Sequence, residues 1–157
     1  MQADAAAGIS STSGEFIFNP GRLGPADAVD SCGACHGTCR DVKLSGVRGI
    51  ANVRMLPYRL ESSKCWGPGD TRLRCAACHD PHKEVSTDAA AYDSTCLSCH
   101  RTFSAQTADV QHAAKPCPNA ASNSTTCHMP KIEIFFMHGA FTDHKIQIAK
   151  ADQPYVK

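Results

Sequence analysis

The stretch Cys75-Ala76-Ala77-Cys78-His79-Asp80-Pro81-His82 opens with two cysteines three positions apart, followed at once by a histidine. The same Cys-x-x-Cys-His pattern occurs at residues 32–36 and at residues 96–100. We refer to residues 32–36, 75–79 and 96–100 as the first, second and third frames. Side chains at positions i, i+3 and i+4 lie on one side of a helical turn. Each frame therefore predicts a helical turn that presents two thiols and one imidazole together.

The histidine after each second cysteine distinguishes between the possible uses of these thiols. Cys-x-x-Cys pairs also bind zinc or cycle as redox dithiols, but a zinc ribbon does not require a histidine at that position. Cys-x-x-Cys-His is the pattern of covalent haem attachment, in which the thiols bind the porphyrin and the imidazole ligates the iron. The frames predict three haem c groups, held by Cys32, Cys35, His36, Cys75, Cys78, His79, Cys96, Cys99 and His100.

A fourth frame, residues 124–128, reads Ser124-Thr125-Thr126-Cys127-His128 and has serine in place of the first cysteine. Two modes of haem attachment are open for it. Cys127 could supply a single thioether, or Cys117 could supply a second one across a longer loop. The alternative is a disulfide between Cys117 and Cys127, with His128 incidental. With the fourth frame included, the sequence predicts four haems.

The histidine count agrees with four haems that each have two imidazole ligands. Of the eight histidines, four directly follow a cysteine in the frames. The remaining four are His82, His112, His138 and His144. His82 lies only three positions after His79, so we expect it to ligate a neighbouring haem. This assignment leaves no axial position for a methionine, and we expect Met55, Met129 and Met137 to be packing residues.

Length and composition limit the other classes of function. The chain has 157 residues and a formal net charge of +1, which gives no attraction to nucleic acid. It lacks a run of eighteen apolar residues, so we expect no membrane span. Only 6% of residues are aromatic, and the supply of large apolar side chains is small. We expect cofactors to fill part of the interior.

Local signals predict a mainly α fold with much irregular structure. Pro25 can open a helix that carries the first frame, and Asp88 is a candidate N-cap for a helix over 89–101. A further helix is expected over 104–114, and Ile132, Ile134 and Phe136 alternate as in a strand. Residues 42–61 give no clear period. We expect a disordered segment over 1–14, a cytochrome domain over 15–150 and a tail over 151–157.

Cys39 and Cys65 lie outside the frames, and we favour a disulfide between them over two free thiols. Thioether haems and structural disulfides both belong to the oxidising side of a membrane. Residues 1–13 are polar and Ala-rich, without the apolar core of a secretory signal. We therefore expect a mature or trimmed chain in the periplasm or outside the cell.

Taken together, these motifs resemble bacterial multihaem c-type cytochromes of the paired-CxxCH kind, including tetrahaem-like modules found with tetratricopeptide-type proteins. The likeness covers about Asn19 to Ile148. It is carried by Cys32-Gly33-Ala34-Cys35-His36, Cys75-Ala76-Ala77-Cys78-His79-Asp80-Pro81-His82, Cys96-Leu97-Ser98-Cys99-His100, Cys127-His128-Met129-Pro130-Lys131 and Phe141-Thr142-Asp143-His144. The resemblance implies a small multihaem fold organised around stacked haems, with His82, His138 and His144 as distal ligands. The chain departs from the family at Ser124.

The resemblance implies electron transfer, and the expected function is a carrier or relay that exchanges electrons with redox partner proteins. Two alternatives are a multihaem redox enzyme and a filament-forming cytochrome. An enzyme needs one iron with an open position, for which the fourth frame is the candidate. A filament needs self-assembly that brings haems of successive subunits together.

Overall fold

A computed structural model of the chain describes residues 19–67, 72–100 and 122–148. About half of these residues lie in helices, and a small sheet is the other regular element. The α-helices are α1 (Pro25–His36), α2 (Cys39–Ser45), α3 (Leu56–Glu61), α4 (Cys75–Cys78), α5 (Asp93–His100) and α6 (Ser124–His128). Short 3₁₀ turns cover Pro20–Arg22, Gly49–Asn52, Ala89–Tyr92 and Phe135–Met137. The prediction of a mainly α fold with irregular connections is confirmed.

Helices α1, α2 and α3 pack together at the N-terminal end of the described chain. Pro25 is the first residue of α1, as predicted, and Val29 of this helix is fully buried. The chain then turns at Gly37, where φ is 79°. A Cβ atom there would lie 2.6 Å from the sulfur of Met55, so glycine suits both the positive φ and the close approach. The Met55 sulfur thus lies directly against this turn.

Helix α2 begins with a capping box that fixes its position directly after the first frame. The Asp41 amide donates to the Thr38 hydroxyl at 3.1 Å, and the Thr38 amide donates to the Asp41 carboxylate at 2.8 Å. Such reciprocal bonds satisfy two amides that a helix start leaves without partners. The Thr38 hydroxyl also donates to the Asp41 carboxylate at 2.7 Å, and this bond, followed by that from the Thr38 amide, holds the pKa of the Asp41 carboxyl below its usual range.

Strands β1 (Lys131–Ile134) and β2 (Gly139–Thr142) form an antiparallel hairpin in which Ile132 pairs with Phe141. Ile132 and Ile134 pack on Val53, with Met137 and Phe141 at the edge of this small core. The predicted alternation through Phe136 is wrong beyond Ile134. Phe136 lies in the 3₁₀ turn that reverses the chain, and it is 67% exposed.

The helix predicted after Asp88 is present in two parts. The Asp88 carboxylate accepts from the Ala90 amide at 3.0 Å and caps the turn Ala89–Tyr92. The α-helical part, α5, begins only at Asp93 and carries the third frame. The expected helix over 104–114, with His112, and the residue Cys117 lie outside the described residues. So do the segments 1–14 and 151–157.

The described part of the chain has no helix that is both long and apolar enough to cross a membrane.

Candidate functional site

All four frames adopt the helical turn that their spacing predicts. Helices α1, α5 and α6 end at His36, His100 and His128. In the second frame α4 ends at Cys78, and the His79 amide donates to the Cys75 carbonyl at 2.9 Å. The last cysteine and the histidine of each frame thus lie together at the C-terminal end of a helix.

The first and second frames are in contact because α1 packs against α4. Cys32 and Cys75, the first cysteines of the two frames, lie close enough for their thiols to interact. Burial, and next the neighbouring Cys32, raises the pKa of the Cys75 thiol to about 12. Cys75 is therefore protonated at neutral pH.

The second and third frames are also neighbours. The Thr95 hydroxyl of α5 donates to the Ala77 carbonyl of α4 at 3.4 Å. Cys78 lies near Cys96 of the third frame. Burial, and next the nearby Asp93 carboxylate, raises the pKa of the Cys96 thiol.

Asp93 connects the third frame to the fourth. This residue starts α5, and its buried carboxylate accepts hydrogen bonds from the Asn123 amide at 2.7 Å and the Ser124 amide at 2.8 Å. These amides form the start of α6. The bonds, with that from Ser124 foremost, hold the pKa of the Asp93 carboxyl below its usual range. The four frames therefore form a continuous series in space.

His144 from the C-terminal segment lies against the second frame. Its ring centroid is 6.2 Å from that of His79, and the ring planes are inclined by 38°. Two imidazoles whose nitrogens each lie about 2 Å from one metal ion have ring centroids no more than about 6 Å apart. The separation of His79 and His144 matches such a pair. The ring of Tyr92 contacts His79 edge-on at 5.6 Å.

Hydrogen bonds set the tautomers of two candidate ligands. The Nδ1 atom of His128 is 2.8 Å from the Gln147 carbonyl, and that of His144 is 3.0 Å from the Thr142 carbonyl. Because a carbonyl only accepts, each Nδ1 carries the proton. In the neutral imidazole with this tautomer, Nε2 is the nitrogen that can ligate a metal.

The two imidazoles of the His79–His144 pair favour the neutral form that metal binding requires. Burial lowers the pKa of His79, and it is also the largest cause of the lowered pKa of His144. The nearby His79 and His36 add to the effect on His144. Neutral imidazole is the form that ligates a metal, and the lowered pKa values favour that form in both rings.

Arg59, Asp143 and Ser63 fix the segment that carries His144. The fully buried Asp143 carboxylate accepts from Arg59 Nε at 2.8 Å, and Arg59 Nη2 donates to its other oxygen. The Ser63 hydroxyl donates to the His144 carbonyl at 3.2 Å and accepts from the Ile146 amide at 2.9 Å. Sequence reasoning missed Arg59, Asp143 and Ser63 as supporting residues. Asp143 precedes a candidate ligand, but Arg59 lies 84 positions away and has no motif of its own.

Two other predicted distal ligands lie on exposed turns. The His82 amide donates to the Asp80 carboxylate at 3.0 Å, in a turn that also holds a Lys83–Asp80 ion pair at 3.1 Å. His138 connects the strands at a positive φ of 49°, with its ring 6.5 Å from that of Phe135. Of the predicted distal histidines in the described ranges, only His144 has a ring contact with a frame histidine.

The predicted Cys39–Cys65 disulfide is not present in the structure, so that prediction is wrong. Cys39 is a buried thiol at the start of α2, and its sulfur lies within 4.8 Å of carboxylate oxygens of Asp30 and Glu61. Burial, and next a hydrogen bond with Glu61, raises the pKa of Cys39 to about 12. The helix start directs this thiol between α1 and α3, whereas Cys65 is exposed and near Cys78.

No protein-family model, curated protein or solved structure matches this chain. The donor set nevertheless fits a haem c in its chemistry. Each of the first three frames offers two thiols and an imidazole, and His79 has a second imidazole at a suitable distance. The fourth frame offers one thiol and an imidazole with its Nε2 open.

Proposed function

We propose that this protein is a multihaem c-type cytochrome that transfers electrons through closely packed haems. The observation that carries the proposal is the arrangement of the frames. Four short helices, each ending at a frame cysteine or histidine, touch in series through the Cys32–Cys75 contact, the Thr95–Ala77 bond and the Asp93 bonds to α6. Haems attached to such frames would be neighbours, as electron transfer requires.

The roles of the residues follow from their chemistry. The frame cysteines would attach the haems covalently, and His36, His79, His100 and His128 would be the proximal ligands. His82, His112, His138 and His144 would be the distal ligands. When bound, the haem iron supplies one-electron chemistry between its ferrous and ferric states.

Two imidazoles on each iron favour a carrier over an enzyme. The eight histidines are enough to fill both axial positions of four irons, which leaves no open position for a substrate. Bis-imidazole ligation also gives lower potentials than a Met/His pair. The hydrogen bond from His144 Nδ1 to Thr142 increases the basicity of its Nε2, which adds to this effect.

The proposed cellular setting follows from the chemistry of attachment. Covalent haems of this type are formed on the oxidising side of a membrane, so the protein would act in the periplasm or outside the cell. Its partners would be redox proteins that dock near an exposed haem edge. Nucleic acid is not among the proposed partners.

The test is a haem count on the full chain after expression in a periplasmic host with c-type maturation. Intact mass under denaturing conditions, together with absorbance, should give four covalent haems. A variant with Cys75→Ala and Cys78→Ala should lose one haem and keep the others, because each frame attaches its own group. A chain that carries no covalent haem would overturn the proposal.

A further inference from the structure

We infer that the fourth frame holds its haem through a single thioether from Cys127, and that Ser124 instead links α6 to Asp93. The inference rests on the proposed multihaem function. It assigns an attachment mode that the sequence leaves open between one thioether, a second from Cys117 and a disulfide.

The cysteine and histidine half of the fourth frame is intact. Helix α6 covers Ser124–His128, and the Met129 amide donates to the Thr125 carbonyl at 2.9 Å, as the His79 amide does to Cys75 in the second frame. Cys127 is an exposed thiol. The adjacent His128 has its Nδ1 committed to Gln147 and its Nε2 open. One thiol and one ligating nitrogen are thus available.

Ser124 occupies the position of the first cysteine and makes a contact with Asp93, which starts the helix of the third frame. Asn123, before the helix, has a positive φ of 56° and makes no side-chain cap. The Asp93 carboxylate supplies the cap in its place, through the amides of Asn123 and Ser124. The Ser124 hydroxyl also interacts with this carboxylate.

A hydroxyl is a stronger hydrogen-bond donor than a thiol, so serine suits this contact better than cysteine does. In the other frames the first cysteine is used for covalent attachment. In the fourth frame the residue at this position, Ser124, instead connects the frame to Asp93 in the helix of the third frame. The serine is then a functional part of the fold, and the frame does not need a second thiol.

The covalent step balances without an oxidant. The Cys127 S–H adds across one vinyl group of the haem, forming a carbon–sulfur bond, and the hydrogen is bonded to the other vinyl carbon. The second vinyl group stays intact. A haem with one vinyl group absorbs at a longer wavelength, as its pyridine complex, than a haem with two thioethers.

The experiment compares the wild-type chain with Cys127→Ser and Cys117→Ser, all matured as full chains in the same host. Intact mass should show that Cys127→Ser loses one haem and that Cys117→Ser loses none. The pyridine complex of both the wild type and Cys117→Ser should contain a long-wavelength component, and Cys127→Ser should lack it. Loss of one haem in Cys117→Ser, or disappearance of the component there, would overturn the inference.

A second pair of variants does not depend on removing a cysteine. Ser124→Cys should keep the same number of haems and lose the long-wavelength component, because the new thiol reacts with the remaining vinyl group. Ser124→Ala should keep both the haem number and the long-wavelength component of the wild type. A wild-type chain with three haems and a disulfide between Cys117 and Cys127 would overturn this inference and leave electron transfer through the first three frames in place. A chain without covalent haem would instead remove the proposed function itself.

Discussion

The Arg59 guanidinium donates two parallel hydrogen bonds to the buried Asp143 carboxylate, and the residue after Asp143 is the candidate ligand His144. Arg59 also donates to the Asn52 side chain at 3.2 Å, and Asp143 accepts from the Lys145 amide at 2.9 Å. The ion pair thus holds the backbone on both sides of His144 in place. It connects α3 to the end of the described chain.

The substitution Arg59→Met should strongly destabilise the protein. Asp143 would remain buried without its partner, and loss of one member of a buried pair costs about 3–5 kcal/mol. Arg59→Lys should recover only part of this, since an ammonium cannot form the two-pronged contact. Urea unfolding gives the free energies. If Arg59→Met is as stable as the wild type, the pair does not stabilise the fold. A double variant with Asp143→Leu should be less impaired than Arg59→Met alone.

In the proposed multihaem cytochrome, His144→Ala should leave every haem attached and convert one iron from low spin to high spin. The reason is that His144 lies 6.2 Å from His79, a separation suited to two ligands of one metal. The spin state is read from absorption and electron paramagnetic resonance spectra, and added imidazole should restore the low-spin signal. Ser62→Ala, an exposed change near the supporting segment, is the control. An unchanged low-spin spectrum in His144→Ala would remove this residue from the ligands.

His82→Ala should also give one high-spin iron with all haems retained, but through a different haem. His82 is exposed and follows His79 too closely to reach the opposite side of the same iron. The His82→Ala, His144→Ala double variant should therefore show two high-spin irons. If the double variant shows only one, the two histidines do not serve separate haems.

The sequence predicted local features well because their signals are local. The i, i+3, i+4 spacing of the frames, Pro25 at the start of α1 and Asp88 as a cap each depend on residues within one or two turns. The Arg59–Asp143 pair and the position of Cys39 depend on how segments far apart in the sequence meet. The periodic patterns of a single sequence do not record such contacts. The strand prediction failed at Phe136 because the turn before His138 ends the alternation.

The Asp93 link predicts a defined pH dependence. In the folded protein the pKa of the Asp93 carboxyl lies below its usual value of 3.8, mainly because the Ser124 amide donates to it. Its contribution to stability is therefore present above 3.8 and is lost as the pH falls through the lower folded value. Asp93→Asn should be less stable than the wild type at about pH 6, and the difference should be smaller at about pH 3, below the usual pKa of 3.8. A difference that is equal at both values in thermal unfolding would argue against an ionised link.

Two glycines with positive φ test the close approach after the first frame. Gly37 and Gly46 have φ values of 79° and 67°, but only at Gly37 would a Cβ meet a neighbour, the Met55 sulfur at 2.6 Å. Gly46→Ala should cost about 1 kcal/mol from backbone strain alone. Gly37→Ala should cost more for two reasons: its ψ of 120° lies outside the left-handed region that Gly46 adopts, and the Met55 sulfur must move. Met55→Ala in the same chain should recover only the part due to the clash. Equal losses at the two glycines in denaturant unfolding would mean that Met55 moves aside without cost.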